Sequence, residues 1–292
     1  MIYMDKARNY VLRQGNANFS QGALSHDVMH VLASDGVVPE NVYPGRVDAS
    51  TRHDHSEMER VMKGALDGLL KKSTISDKWP KVINAILDIY LGPLPESFDY
   101  NGKSVTPEEY ADELGLSSID FVSITSFSHH PFYQKFILEI PDNYSNGSFY
   151  NVPIDELMQT IDASIQAGYT VAWDGDVSEK GFSQKNGIAV IPEDPKREDL
   201  FDTPGAEIEV TQDNRQVNFE NLTTTDDHLM HLTGIAHDQN GTKYYLVKNS
   251  WGNIGPVQGY IYMSEEYLRM KTISIMVNQE AVPRSIAKKI NL

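Results

Sequence analysis

Apolar positions in the first part of the chain recur at helical spacing. Ala7, Tyr10 and Val11 stand three and four apart between Asp5 and Arg13, and Gly15 closes the short helix they predict. Ser25 stands as an N-cap before His26-Asp27-Val28-Met29, opening a second helix that ends before Gly36. Met58, Val61, Met62, Ala65, Leu66 and Leu69 mark one helical face. After a break at Ser73-Thr74, Val82, Ile83, Ile86, Leu87 and Tyr90 mark another, closed by Gly92-Pro93, which predicts two antiparallel helices. Thr106-Pro107-Glu108-Glu109 is a helix start with Thr as cap, Pro at the first position and Glu at the third.

From about residue 117 the pattern changes. Residues 121–124 and 136–140 read as strands, Pro153 opens a helix whose face is Leu157, Ile161 and Ile165, and short β-rich runs follow at 170–173, 231–236, 243–248, 259–263 and 272–277. Asn240-Gly241 marks a hairpin turn between two of them. Residues 193–227, polar and acidic, read as a long surface loop. A helix-rich first part followed by antiparallel strands predicts an α+β fold.

Composition narrows the function. The 41 acidic and 25 basic side chains give a formal charge of −16. A field of that sign repels phosphate backbones and anionic lipid, so nucleic acid and membrane surfaces are poor partners. No apolar run reaches the roughly 18–20 residues of a spanning helix. Residues 1–6 do not open as a signal peptide does, so the sequence reads as soluble. There is no cysteine, which excludes disulfides, thiolate metal sites and a thiol nucleophile within this chain.

The informative segment is Asp226-Asp227-His228-Leu229-Met230-His231-Leu232-Thr233-Gly234-Ile235, followed by Lys248-Asn249-Ser250-Trp251-Gly252. A hairpin brings a histidine at the start of one strand close to an asparagine at the end of the next. The asparagine oxygen accepts the proton of one imidazole nitrogen, fixing the ring so that the other nitrogen faces a nucleophile. Trp251 is placed to cover that hydrogen bond. Asp226 and Asp227 either raise the basicity of His228 or sit in solvent at the strand entrance.

Lys248-Asn249-Ser250-Trp251-Gly252 resembles the asparagine motif of papain-like cysteine peptidases, and the surrounding sequence is similar to their bleomycin hydrolase and aminopeptidase C branch. The resemblance extends through His228-Leu229-Met230, Leu232 to Ile235, Gly259 to Ser264, Asn151-Val152-Pro153, Trp173 to Val177, Gln21-Gly22, Asp27-Val28 and Gly36 to Glu40. It implies a papain-like fold, α+β, with a β-rich half, a helical half and an inserted helical subdomain, here lacking the N-terminal nucleophile helix. The expected parts are 1–52 (remnant of the helical half), 53–116 (insertion) and 117–292 (β-rich half). The implied reaction is removal of N-terminal residues from peptides by a cysteine aminopeptidase, with His228 as general base and then acid, Asn249 orienting it and Trp251 shielding both. By the same resemblance the Leu292 carboxylate anchors the substrate amine, no cofactor or metal takes part, the partner is a peptide, and the chain assembles as a homo-oligomer, a hexameric ring in the family. The compartment implied is the cytoplasm, with export left open.

In papain-type enzymes the cysteine precedes the histidine by ~130–150 residues. Counting back from His228 by that span lands inside the helical insertion, so the nucleophile is expected upstream of Met1. As given, the chain is expected to be inactive alone; the alternative is a non-catalytic pseudo-peptidase or peptide-binding assembly protein. Other constellations read more plainly. His228 and His231, three apart on a strand, face opposite sides and do not share an ion. His53/His55 and His129/His130 read as polar loop or helix-start residues, and Asp174 to Glu179 as polar strand-end residues rather than a calcium loop.

Overall fold

The computed structural model describes residues 1–47 and 53–292. They form two compact units, residues 1–118 with 141–147, and residues 119–140 with 148–292.

The first unit holds α1 (Ile2–Leu12), α2 (Ser25–Asp35), α3 (Ser56–Leu70), α4 (Trp79–Leu91), β1 (Phe98–Tyr100), β2 (Lys103–Val105) and α5 (Pro107–Glu113). Met58, Met62 and Leu66, each four apart, put one face of α3 into a core shared with Ala7 and Tyr10 of α1, Phe19 and Ile83 of α4. The Tyr10 hydroxyl donates to Asp67 at 2.5 Å, which also pairs with Lys63. α1 thus shares its core with α3 and α4. The expected boundary at 52 itself lies outside the described residues. The Thr106 cap forms as its sequence predicts, with Glu109 completing the reciprocal bond. β1 and β2 pair through Asn101 and Gly102, both at positive φ, the two-residue turn that Asn-Gly favours.

The second unit is built on a ten-stranded sheet. Its elements are β3 (Phe121–Thr125), β4 (Lys135–Ile137), β5 (Ser148–Asn151), α6 (Ile154–Gln166), β6 (Val171–Gly175), β7 (Phe182–Ser183), β8 (Ile188–Ala189), α7 (Gln212–Glu220), β9 (His228–His237), β10 (Lys243–Lys248), β11 (Tyr260–Ser264), α8 (Glu265–Lys271), β12 (Thr272–Asn278) and α9 (Arg284–Ile290). The strand order is β4-β5-β3-β12-β6-β9-β10-β11-β8-β7. All neighbours are antiparallel except β3 with β5 and β8 with β11. α6 packs on β6, β9 and β12 through Leu157, Met158 and Ile161, over a core that includes Trp173, Tyr245 and Tyr267.

Two expectations are corrected. The strand read over 136–140 stops at Ile137, because Ile140 N–H turns back to the Leu138 carbonyl before Pro141. The segment 193–227 is not one surface loop, since 212–220 fold as α7 with Arg215 wholly buried.

Candidate active site

β9 and β10 carry the site. They pair in one register from His237–Lys243 to Gly234–Leu246, and in a register slipped by one from Leu232–Val247 to His231–Lys248. Thr233 is the extra residue, a β-bulge held by its hydroxyl donating to the Leu246 carbonyl at 3.0 Å. Carried past Lys248, the slipped register sets Trp251 across from His228, and the two rings do meet, with centroids 5.2 Å apart. The backbone beyond β10 is fixed by Asn249 N–H donating to the Gly259 carbonyl at 3.0 Å. The loop between them closes tightly: Gly259 has φ +88°, and a Cβ there would stand 2.6 Å from the Gly252 carbonyl oxygen.

His228 Nε2 lies 2.8 Å from Asn249 Oδ1, and Asn249 is buried. The same oxygen accepts the Ser250 backbone N–H at 2.7 Å. A backbone N–H only donates, so the amide's orientation is settled, and the imidazole must donate from Nε2. Nδ1 is left as the proton acceptor of neutral His228. Asn249 Nδ2 donates to Gln184 Oε1 at 2.9 Å, and Gln184 Nε2 donates to the Tyr260 carbonyl at 3.1 Å. Trp251 stacks at a tilt of 33° on His228 and meets Phe182 edge-on at 6.0 Å, yet is itself 47% exposed. It covers one side of the pair while staying half in solvent.

The sequence reading missed Gln184. It follows a two-residue strand and belongs to no motif, and the flanking strands are too short to show any alternation, so no sequence signal points to it.

The other residues singled out in the sequence separate from this pair. His231 faces away and bonds Thr170 Oγ1 at 2.6 Å. Leu292 is not brought to His228 or Asn249 by any hydrogen bond among the described residues. Its N–H closes α9 on the Ala287 carbonyl, with Ile286 and Ile290 of that helix buried in the core. Asp227 accepts from the Thr225 hydroxyl at 2.7 Å; burial, then its hydrogen bond with the Asp176 carboxylate, pushes its carboxyl up. Burial opposes the charge on Asp176 too, but the Ser178 hydroxyl and N–H, both 2.7 Å away, hold its carboxyl below the ordinary range. The buried Lys271 ammonium meets Asp176, Glu179 and the Thr223 carbonyl. The stretch that superficially suggests a calcium loop therefore holds a lysine.

His129, His130 and Glu139 gather their ligand atoms within 4.8 Å of one another. Gln216 decides how they are used. Its Oε1 accepts the Ser128 N–H at 2.6 Å, so its Nε2 donates to His129 Nδ1 at 3.0 Å. That leaves the proton of neutral His129 on Nε2, aimed at Glu139 3.2 Å away. A metal on that nitrogen would need the opposite tautomer, so the geometry supports a hydrogen-bonded trio. A cavity of about 400 Å³, lined in part by Phe201, Glu207, His237 and Tyr244, lies at the other end of β9 and β10 from His228.

The fold is that of the papain-like cysteine peptidases. A crystal structure of PepW from Lactobacillus rhamnosis superposes with a TM-score of 0.76, covering 99% of this chain and 72% of that one at 18% identity. The model of the Peptidase C1-like family matches residues 16–292, and the chain belongs to that family. Aminopeptidase C of Streptococcus thermophilus is 24% identical over 87% of this chain and 61% of its own length. Aminopeptidase G of Lactobacillus delbrueckii subsp. lactis is 24% identical over 89% and 63%, and human bleomycin hydrolase 24% over 89% and 62%. The chain thus spans about three-fifths of the length of the curated relatives it matches. Among the described residues no helix is long and apolar enough to cross a membrane.

Proposed function

We propose that this chain carries the histidine–asparagine side of a cysteine aminopeptidase of the aminopeptidase C and bleomycin hydrolase type. His228 Nδ1 takes the proton of a thiol and returns it to the leaving amine, Asn249 orients the ring, and Trp251 covers one face. The observation that carries this reading is the 2.8 Å His228–Asn249 bond with its tautomer set by Ser250 N–H. Imidazole so held is a base waiting for a nucleophile. The names of the relatives support an N-terminal peptide as substrate, and the family resemblance supports a cytoplasmic homo-oligomer. The sequence holds no cysteine, so the chain alone lacks the nucleophile. That same observation favours a second reading, a non-catalytic peptide-binding relative.

The test is hydrolysis of a fluorogenic amino-acid amide, first by the purified chain and then with a peptide supplying the expected glutamine and cysteine segment in trans. The expected result is no turnover alone, and turnover with the segment that is abolished by alkylation and by His228→Ala. Turnover by the chain alone that survives alkylation would sink the base role of His228. Peptide binding with no turnover in either arm would decide for the second reading.

A further inference from the structure

The polar chain behind His228 has more members than the pair itself requires. From Nε2 it runs through Asn249, then Gln184, to the Tyr260 carbonyl. Both amides are buried, with Asn249 6% and Gln184 7% exposed. Each amide can in principle turn end for end, exchanging donor and acceptor. Here the Tyr260 carbonyl only accepts, so Gln184 must present Nε2 to it and Oε1 to Asn249. Ser250 N–H only donates, so Asn249 must present Oδ1 to it and Nδ2 to Gln184. Turning Gln184 would set an amide nitrogen against an amide nitrogen and an oxygen against a carbonyl oxygen, with little water to compensate. One assignment satisfies every member, and it delivers an acceptor to His228.

Gln184 is itself held. Gly255 has φ +76°, and a Cβ there would come within 2.3 Å of the Gln184 carbonyl oxygen, so the loop beyond Trp251 lies directly on the Gln184 backbone. The parallel pairing of β8 with β11 ties the segment just after Gln184 to the strand that begins at Tyr260.

We infer that Gln184 is a positioning residue, which locks the Asn249 amide in the one orientation that Ser250 N–H allows and so steadies the ring angle and the Nε2 proton of His228. This rests on the proposed role of the His228–Asn249 pair, but the test separates the two. It reads nitrogen-15 and proton NMR of the His228 ring and the Asn249 side-chain amide at neutral pH, in the full chain. Wild type should show a slowly exchanging proton on His228 Nε2 and slowly exchanging Asn249 amide protons. Gln184→Met keeps the volume and removes both bonds; it should speed exchange of the Nε2 proton about tenfold or more, because the Asn249 donor is left without a buried acceptor. Gln184→Glu, kept protonated by burial, retains an acceptor for Asn249 Nδ2 and a donor for the Tyr260 carbonyl and should stay closer to wild type. A folded Gln184→Met with unchanged Nε2–H exchange overturns the role of Gln184. Asn249 amide protons that exchange in wild type as fast as a solvated amide overturn it too, which keeps the test decisive if the Met variant does not fold. A wild-type His228 protonated on Nδ1 instead would overturn the reading of the pair itself.

Discussion

Single side chains in this protein are governed by what backbone groups allow. Asn249 points its oxygen at His228 because Ser250 N–H leaves it no alternative, and His129 is turned toward Glu139 because Ser128 N–H fixes Gln216. Glu207 shows the same logic with a measurable pH signature. One of its oxygens accepts the Ile191 N–H at 2.8 Å and the Ser264 hydroxyl at 2.6 Å. Burial pushes its carboxyl up, with Glu266 and Asp238 adding to the effect, and these outweigh the two hydrogen bonds. With the folded value above the unfolded one, the native state binds the extra proton. The resulting stability is fully present below the unfolded pKa and is lost as pH rises through the folded one. Glu207→Gln keeps an acceptor for both donors and cannot ionise. In denaturant unfolding it should match wild type near pH 4 and be more stable at pH 7. Equal or lower stability at pH 7 would show that the carboxyl is not strained by burial.

At the scale of elements, α7 explains both a failure of sequence reading and a large part of the packing. Its buried residues are Arg215 and Gln216, both polar, so it gives no apolar periodicity to detect. Only the Thr211–Asn214 capping box marks its start. Arg215 donates to the carbonyls of Arg269 and Met270 at 2.7 and 3.2 Å, to that of Thr272, and to that of Ser126 at 3.0 Å. The first three are at the C-terminal end of α8, where carbonyls have no intrahelical partner and the helix dipole is negative. Burial pulls the guanidinium down to about 9, which still leaves it charged at neutral pH. Arg215→Met should cost about 3 kcal/mol or more, since it strands buried carbonyls rather than one contact. Thermal and denaturant unfolding measure this, and a loss below about 1 kcal/mol would mean that water replaces the guanidinium. The strands carrying His228 and Asn249 were legible because apolar alternation and a short motif coincide there. The bulge at Thr233, which sets Trp251 across from His228, and Gln184 on its sheet edge were not, because register and hydrogen-bond partners arise only once strands are paired.

At the scale of the whole molecule, the described residues form two cores, and the candidate chemistry belongs to one. Ala7, Tyr10, Phe19, Met58, Met62, Leu66 and Ile83 form the first, while in the second unit His228 opens β9 and Gln184 and Asn249 follow the last residues of β7 and β10. A defect in the first core should therefore be felt locally. Leu66 is fully buried, and Leu66→Ala removes three carbons and leaves a cavity, a loss of about 2–5 kcal/mol. Hydrogen exchange resolved by segment should show α3 and α4 exchanging faster in this variant. The β9–β10 hairpin, whose protection depends on the second core, should keep its wild-type rates. If the hairpin loses protection in step with α3, the two units unfold as one cooperative body, and the histidine–asparagine pair depends on the helical unit for its stability. If only the helices respond, the site is a property of the sheet alone: of its bulge, its tight loop after Asn249 and the amide chain that ends at Tyr260.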